Sequence, residues 1–93
     1  MRKTSLTALA RQQLELAHAA ASGRGSYTVY GGHEHQLRQT VIALLAGQTI
    51  NEHENPGEAT VHILHGLLIV PDSRPSLEAL EDAAALLTVA KHS

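Results

Sequence analysis

Cysteine, phenylalanine and tryptophan do not occur in this sequence, and there are only two tyrosines and one methionine. Without thiols there is no cysteine nucleophile, no CxxC redox pair and no cysteine-ligated zinc. A disulfide cannot staple the fold either. Without Phe or Trp the core must be built from Leu, Ala, Val and Ile, which each bury less area than an aromatic ring. Neither sign of charge dominates: seven Lys and Arg stand against nine Asp and Glu, for a net charge of −2. Binding to phosphates needs a basic stripe and none is visible, so no nucleic-acid partner is expected. Long apolar runs are missing too, and nothing approaches the ~20 residues of a spanning helix. The opening MRKTSLTALARQQLELAHAAASG has the basic start of a secretion signal. Its apolar run, Leu6 to Ala10, is broken by Arg11-Gln12-Gln13 and falls short of the roughly 7–15 residues such a signal needs. The expectation is a cytoplasmic protein with no membrane contact.

What is present suits one small domain. A chain of 93 residues buries roughly 60–65% of its unfolded surface. A thin aliphatic core of that size gains from self-association, so a homodimer is expected. Leu6, Leu9, Ala10, Gln13, Leu14 and Ala17 follow the i, i+3, i+4, i+7 rhythm of an amphipathic helix. Thr4 or Ser5 can cap its start, and SGRG at 22–25 stops it, which predicts a helix over about residues 5–21. Past Gly25 the character changes. SYTVY is β-branched and aromatic, as strands are, and GGHEH is a turn. QLRQTVIALLAG alternates well enough for a longer strand, and a turn begins at Gly47. NEHENPGE is a polar loop with a Pro-Gly pair. ATVHILHG reads as a strand with Ala59, Val61 and Ile63 on one face, and LLIVP as a short apolar strand before the DSRP turn. The last segment, SLEALEDAAALLTVAKHS, favours a helix by propensity, with Ser76 as its cap. It can also be parsed as strand, Glu81-Asp82 turn, strand.

The string HENPGEATVHILHG, followed by LLIVPDSRPSLEALED, resembles the cupin superfamily, specifically small single-domain bacterial cupins that open with a helix. Their first motif is G-x5-H-x-H-x3-4-E-x6-G. Here five residues separate Gly47 from His53, and the motif closes on Gly66. The second motif, G-x5-P-x-G-x2-H-x3-N, is recognisable mainly from LLIVP and the SLEAL after it. The resemblance implies a mainly β fold, a shortened cupin-like antiparallel β-barrel or jelly roll preceded by one N-terminal α-helix. Residues 1–25 would be the helix and its glycine-rich link, and 26–93 the β domain of a single-domain protein. It also implies β structure over about 77–80 and 84–90, against the propensity. Cupins carry a hairpin between the motifs, whereas Gly66 runs straight into Leu67 here. The loss of roughly 15–20 residues leaves strand edges exposed, and exposed edges pair with other chains. The homodimer is therefore expected through those edges, the N-terminal helix, or both.

The resemblance also frames the polar residues. Cupin metal sites use three His and one Glu, and only His53 stands in register. Asn55 holds the second His position, Ala59 the Glu position with Glu58 one residue early, and Pro75 or Ser76 the last His position. An amide is a poor transition-metal ligand. His33 and His35 have the i, i+2 spacing of a shared strand face, but beside Gly31-Gly32 they read as a solvated turn. His62 and His65, three apart, are expected on opposite faces of a strand. Glu52, Glu54 and Glu58 cluster in one wet loop. Ser5, Ser26, Ser73 and Ser76 sit in no nucleophile elbow, and no dinucleotide or phosphate loop is present.

His53 thus has three readings: a polar group facing a ligand, a hydrogen-bonding residue at the barrel mouth, or a metal ligand. The leading functional expectation is non-enzymatic, a cupin-like small-molecule-binding or structural module without a complete metal site and with no cofactor. His53, Asn55, Glu58 and Gln39 or Gln48 would supply its polar contacts. Val61 and Ile63, with Leu68 and Val70, would supply the aliphatic wall. Such a pocket suits a small, partly apolar metabolite. The alternative is a metal-dependent cupin enzyme of the dioxygenase or isomerase type. His53 and one of His33, His35 or His62 would then hold one divalent Zn, Fe, Mn or Ni ion as a Lewis acid. A third reading places function in the dimer itself, as a scaffold or regulatory partner.

Overall fold

A computed structural model describes residues 5–31, 36–51, 57–69 and 76–91. Ser5 is the cap of helix α1 (Leu6–Ala19). Its extended backbone lets the hydroxyl accept the Ala8 N–H at 3.2 Å, satisfying one of the donors a helix start leaves open. The helix ends two residues before the predicted Ala21, because Ala20 is already extended. Ala10, Gln13 and Ala17 form its buried stripe, a subset of the periodic positions.

Seven strands follow: β1 (Arg24–Tyr30), β2 (Leu37–Leu44), β3 (Thr49–Asn51), β4 (Gly57–His65), β5 (Leu68–Ile69), β6 (Ser76–Ala79) and β7 (Ala83–Lys91). They build two antiparallel sheets, ordered β1-β2-β7-β4 and β3-β6-β5. The fold is therefore mainly β with one N-terminal helix, as expected. The expected barrel is corrected: among the described residues no ladder joins the two sheets, and β4 and β5 each stand at a sheet margin. Only Gly66 and Leu67 separate those two strands, so no hairpin spans from one margin to the other. A second correction is β3, which lies where the sequence suggests only a turn. Its partner β6 is distant in the chain.

The last third of the chain is β, against its helical propensity. β7 runs between β2 and β4, so ladder bonds on both sides and burial on both faces outweigh the weak preference of Ala and Leu for helix. β2 does not alternate as expected: Leu37 and Arg38 are exposed, Gln39 and Thr40 half-buried, and Val41 to Leu44 all buried. A strand reads as continuously apolar when both its faces are covered. One face of β2 and β7 meets the small sheet. Ile42, Leu44, Ala83 and Ala85 pack there with Leu77 and Ala79, and Ile50, Val61 and Leu68 close around them. The other face, with Val41, Ala43 and Ala84, lies under α1.

Small residues set how closely α1 approaches. Gly25 pairs with Ala43, and a Cβ on Gly25 would lie 2.6 Å from the Gln13 carbonyl oxygen. Beside it, the buried Gln13 Oε1 finds no hydrogen-bond partner among the described residues.

Three of the four points where the chain changes sheet, 45–48, 66–67 and 80–82, gather at one corner. The Asp82 Oδ1 accepts the Ala46 N–H at 2.9 Å, and its Oδ2 lies 3.2 Å from His18 Nε2 at the end of α1. Gly66, with φ of 78°, packs on the same place: a Cβ there would overlap the Asp82 carbonyl oxygen, 2.3 Å away.

Two substitutions test the helix contact. Gly25→Ala forces α1 off the sheet and should cost about 1–3 kcal/mol, at roughly 4–8 °C of melting temperature per kcal/mol for this size. An unchanged melting temperature would contradict the close approach. Gln13→Met removes the unpaired carbonyl while keeping the volume, so thermal denaturation should show a gain of about 1 kcal/mol. A loss would mean that the amide has a partner.

Candidate functional site

The aliphatic residues expected to line a pocket do face the space between the sheets. Val61 pairs with Leu87 and Ile63 with Ala85, and Val61 and Leu68 pack onto the central cluster. This wall is packed at Val61 and Leu68 and open at Ile63, on the edge of β4. Ile63 remains 40% exposed, and Leu67 and Ile69 are exposed at the same margin. Val70 lies outside the described residues, as do His53 and Asn55. Their segment is flanked by Asn51 and Gly57, the ends of β3 and β4 that point away from the corner.

The other expected polar contacts do not join this wall. Gln39 lies on the α1 side of the sheet, where its Nε2 donates to Thr88 Oγ1 at 3.3 Å. Glu58 is in strand β4, not in the loop expected for it, and its backbone pairs with Ala90, out of phase with Val61 and Ile63. Gln48 sits at the Asp82 corner, with its side chain against Gly23. Glu52 and Glu54 lie outside the described residues. The six residues expected to share one pocket are therefore divided: Val61 and Ile63 stand together, while Gln39 and Glu58 occupy the alternate register.

One reading of the histidines is also corrected. A bulge at Leu64 shifts the ladder, so that His65 pairs with Ala84 while His62 pairs with Leu86. An extra residue reverses the alternation that follows it, and both histidines take the α1-side face. A similar shift in β1 brings Tyr30 to the face of Tyr27. His62 is thus turned away from the inter-sheet wall and does not serve a site there. His33 and His35 lie outside the described residues. Among the described residues no three His, Asp or Glu side chains are placed to hold a metal ion. The cupin donor set, tested on this chain's chemistry, does not fit: Asn55 and Ala59 stand at two of its positions and His62 faces the other way.

Sequence reasoning did not single out a cleft of about 280 Å³ between α1 and the end of β4, lined by Thr7, Ala10, Arg11, Leu14, Leu64 and His65. The only signal for it is that Thr7, Ala10, Arg11 and Leu14 share one helical face by their spacing. The strand half depends on the bulge, which leaves no mark in the sequence.

No helix among the described residues is long and apolar enough to cross a membrane. No protein-family model matches the chain, and no curated protein matches it. A solved structure does: the crystal structure of the conserved SPY1581 protein of unknown function from Streptococcus pyogenes is 29% identical, with a TM-score of 0.63. The match covers 80% of this chain and 79% of that one. The chain is therefore similar, over most of both lengths, to a protein whose own function is unknown.

Proposed function

We propose that this chain is a cupin-like module that binds a small, partly apolar metabolite between its two sheets, without a complete metal site, and that it works as a homodimer. One observation carries the reading. The aliphatic wall of Val61, Leu68 and Ile50 packs onto the core. It ends in Ile63, which faces the same space and is 40% exposed at the β4 edge, while Leu67 and Ile69 are exposed along that margin in the outer phase of β5. Scattered exposed apolar residues are ordinary, but several on one unpaired margin mark a surface that another molecule covers. His53 and Asn55 are the polar groups assigned to the ligand.

A second copy is the preferred cover for the margin. β4 is nine residues long and, among the described residues, pairs on one side only, and its regular run from Gly57 to Ile63 is a template for strand pairing. α1 is the weaker candidate, because its Ala10, Gln13 and Ala17 stripe is spent on its own sheet and Leu16 stands alone as a large exposed apolar residue on it.

Light scattering after size exclusion should give about twice the 9.9 kDa chain mass. Ile63→Lys should give a monomer with unchanged far-ultraviolet circular dichroism. A wild-type monomer would remove the dimer from the account. Metal analysis of the purified protein should find well below one equivalent per chain, with no change of melting temperature in chelator. A stoichiometric transition metal, lost on His53→Ala, would instead establish the metalloenzyme reading.

A further inference from the structure

We propose that the cleft between α1 and the end of β4 is a second binding site, which takes a small organic anion: a carboxylate on a short apolar body. Thr7, Ala10, Arg11 and Leu14 form the helical side, and Leu64 and His65 the strand side. The bulge is what builds the strand side. It places two consecutive residues opposite Ala84, so the apolar Leu64 and the polar His65 both reach the cleft, which a regular strand would not permit.

The chemistry of the lining selects the ligand. The Arg11 and His65 side chains make no hydrogen bond or ion pair among the described residues. Among the described residues no carboxylate lines the cleft. Glu15, one turn further along α1, is exposed, is not part of the lining, and makes no ion pair with Arg11 among the described residues. A guanidinium fork matches a carboxylate in two parallel hydrogen bonds, and the Thr7 hydroxyl and a His65 ring N–H are further donors. The floor and walls are apolar: Ala10 is buried, and Leu14 and Leu64 are half-buried. A volume near 280 Å³ lies at the small end of metabolite sites, which excludes a peptide and suits a short-chain acid. The apolar walls are what distinguish this ligand from inorganic phosphate, which has no body to bury.

The test is an amide-resolved NMR titration of the full chain with sodium hexanoate, and with hexanamide and inorganic phosphate as comparators. Hexanoate should give saturable shifts centred on Thr7, Arg11, Leu14, Leu64 and His65. Hexanamide and phosphate should each bind at least several-fold more weakly. Arg11→Met keeps the apolar stem of an exposed side chain and should weaken hexanoate about tenfold, the effect of one lost charge-assisted contact. His65→Gln, a second exposed variant, should weaken it by a smaller factor. The proposal is overturned by shifts that do not saturate or that fall elsewhere. It is equally overturned if hexanamide or phosphate matches hexanoate, or if Arg11→Met, with its spectrum otherwise intact, binds as the wild type does.

Discussion

Asp82 is the group on which the arrangement of layers depends. A two-sheet fold needs the chain to pass from one sheet to the other, and each passage leaves backbone groups without ladder partners. Here three of the four passages, 45–48, 66–67 and 80–82, meet at Asp82 and its carboxylate. Its two oxygens divide the work: one takes the Ala46 N–H and the other faces His18. The backbone carbonyl of the same residue sets the space that Gly66 must leave open. Further bonds extend the small sheet into the corner, with Gly47 N–H donating to Ala79 and Leu80 N–H donating to Leu67. The corner fixes helix, large sheet and small sheet relative to one another with few residues and no disulfide.

From that corner outward, a core without Phe or Trp is made to suffice by covering one sheet twice. β2 and β7 carry Val, Ile, Leu and Ala on both faces, and alanine and glycine let α1 settle close to the sheet. Close packing of small groups recovers by contact what each side chain lacks in area. The coverage ends at β4 and β5. The margin left there is the origin of both functional readings, since the same strand presents Ile63 to the inter-sheet space and, past its bulge, Leu64 and His65 to the cleft under α1.

Much of this architecture is legible in the residues, and the exceptions have physical reasons. The helix follows from a local period and a local cap, and so appears in the sequence. The strands at 76–79 and 83–91 do not follow from propensity, which prefers helix; the cupin resemblance pointed to them and the central position of β7 explains them. Thr49–Asn51 was missed because three residues carry almost no period and their partner β6 is more than twenty positions away. The bulge at Leu64 was missed because a one-residue ladder shift is decided by pairing with β7, and this inverted the reading of His62 and His65. The face expected to line a pocket was legible in part. Alternation placed Val61 and Ile63 correctly together, while the polar residues expected beside them, Gln39 and Glu58, fall in the opposite phase. The cleft was invisible because its two walls are some fifty residues apart in the chain.

The measurement that bears most directly on this account is the stability of Asp82→Ala beside His18→Ala in urea. The His18 contact is half-exposed, at 60% and 43% side-chain exposure, and even fully charged pairs at such positions contribute at most about 1 kcal/mol. Asp82→Ala removes that contact and also the charge-assisted bond from Ala46, so it should cost about 1.5–3 kcal/mol, clearly more than His18→Ala. Equal costs for the two would mean that the corner is held by its backbone alone and that Asp82 organises nothing beyond one surface pair.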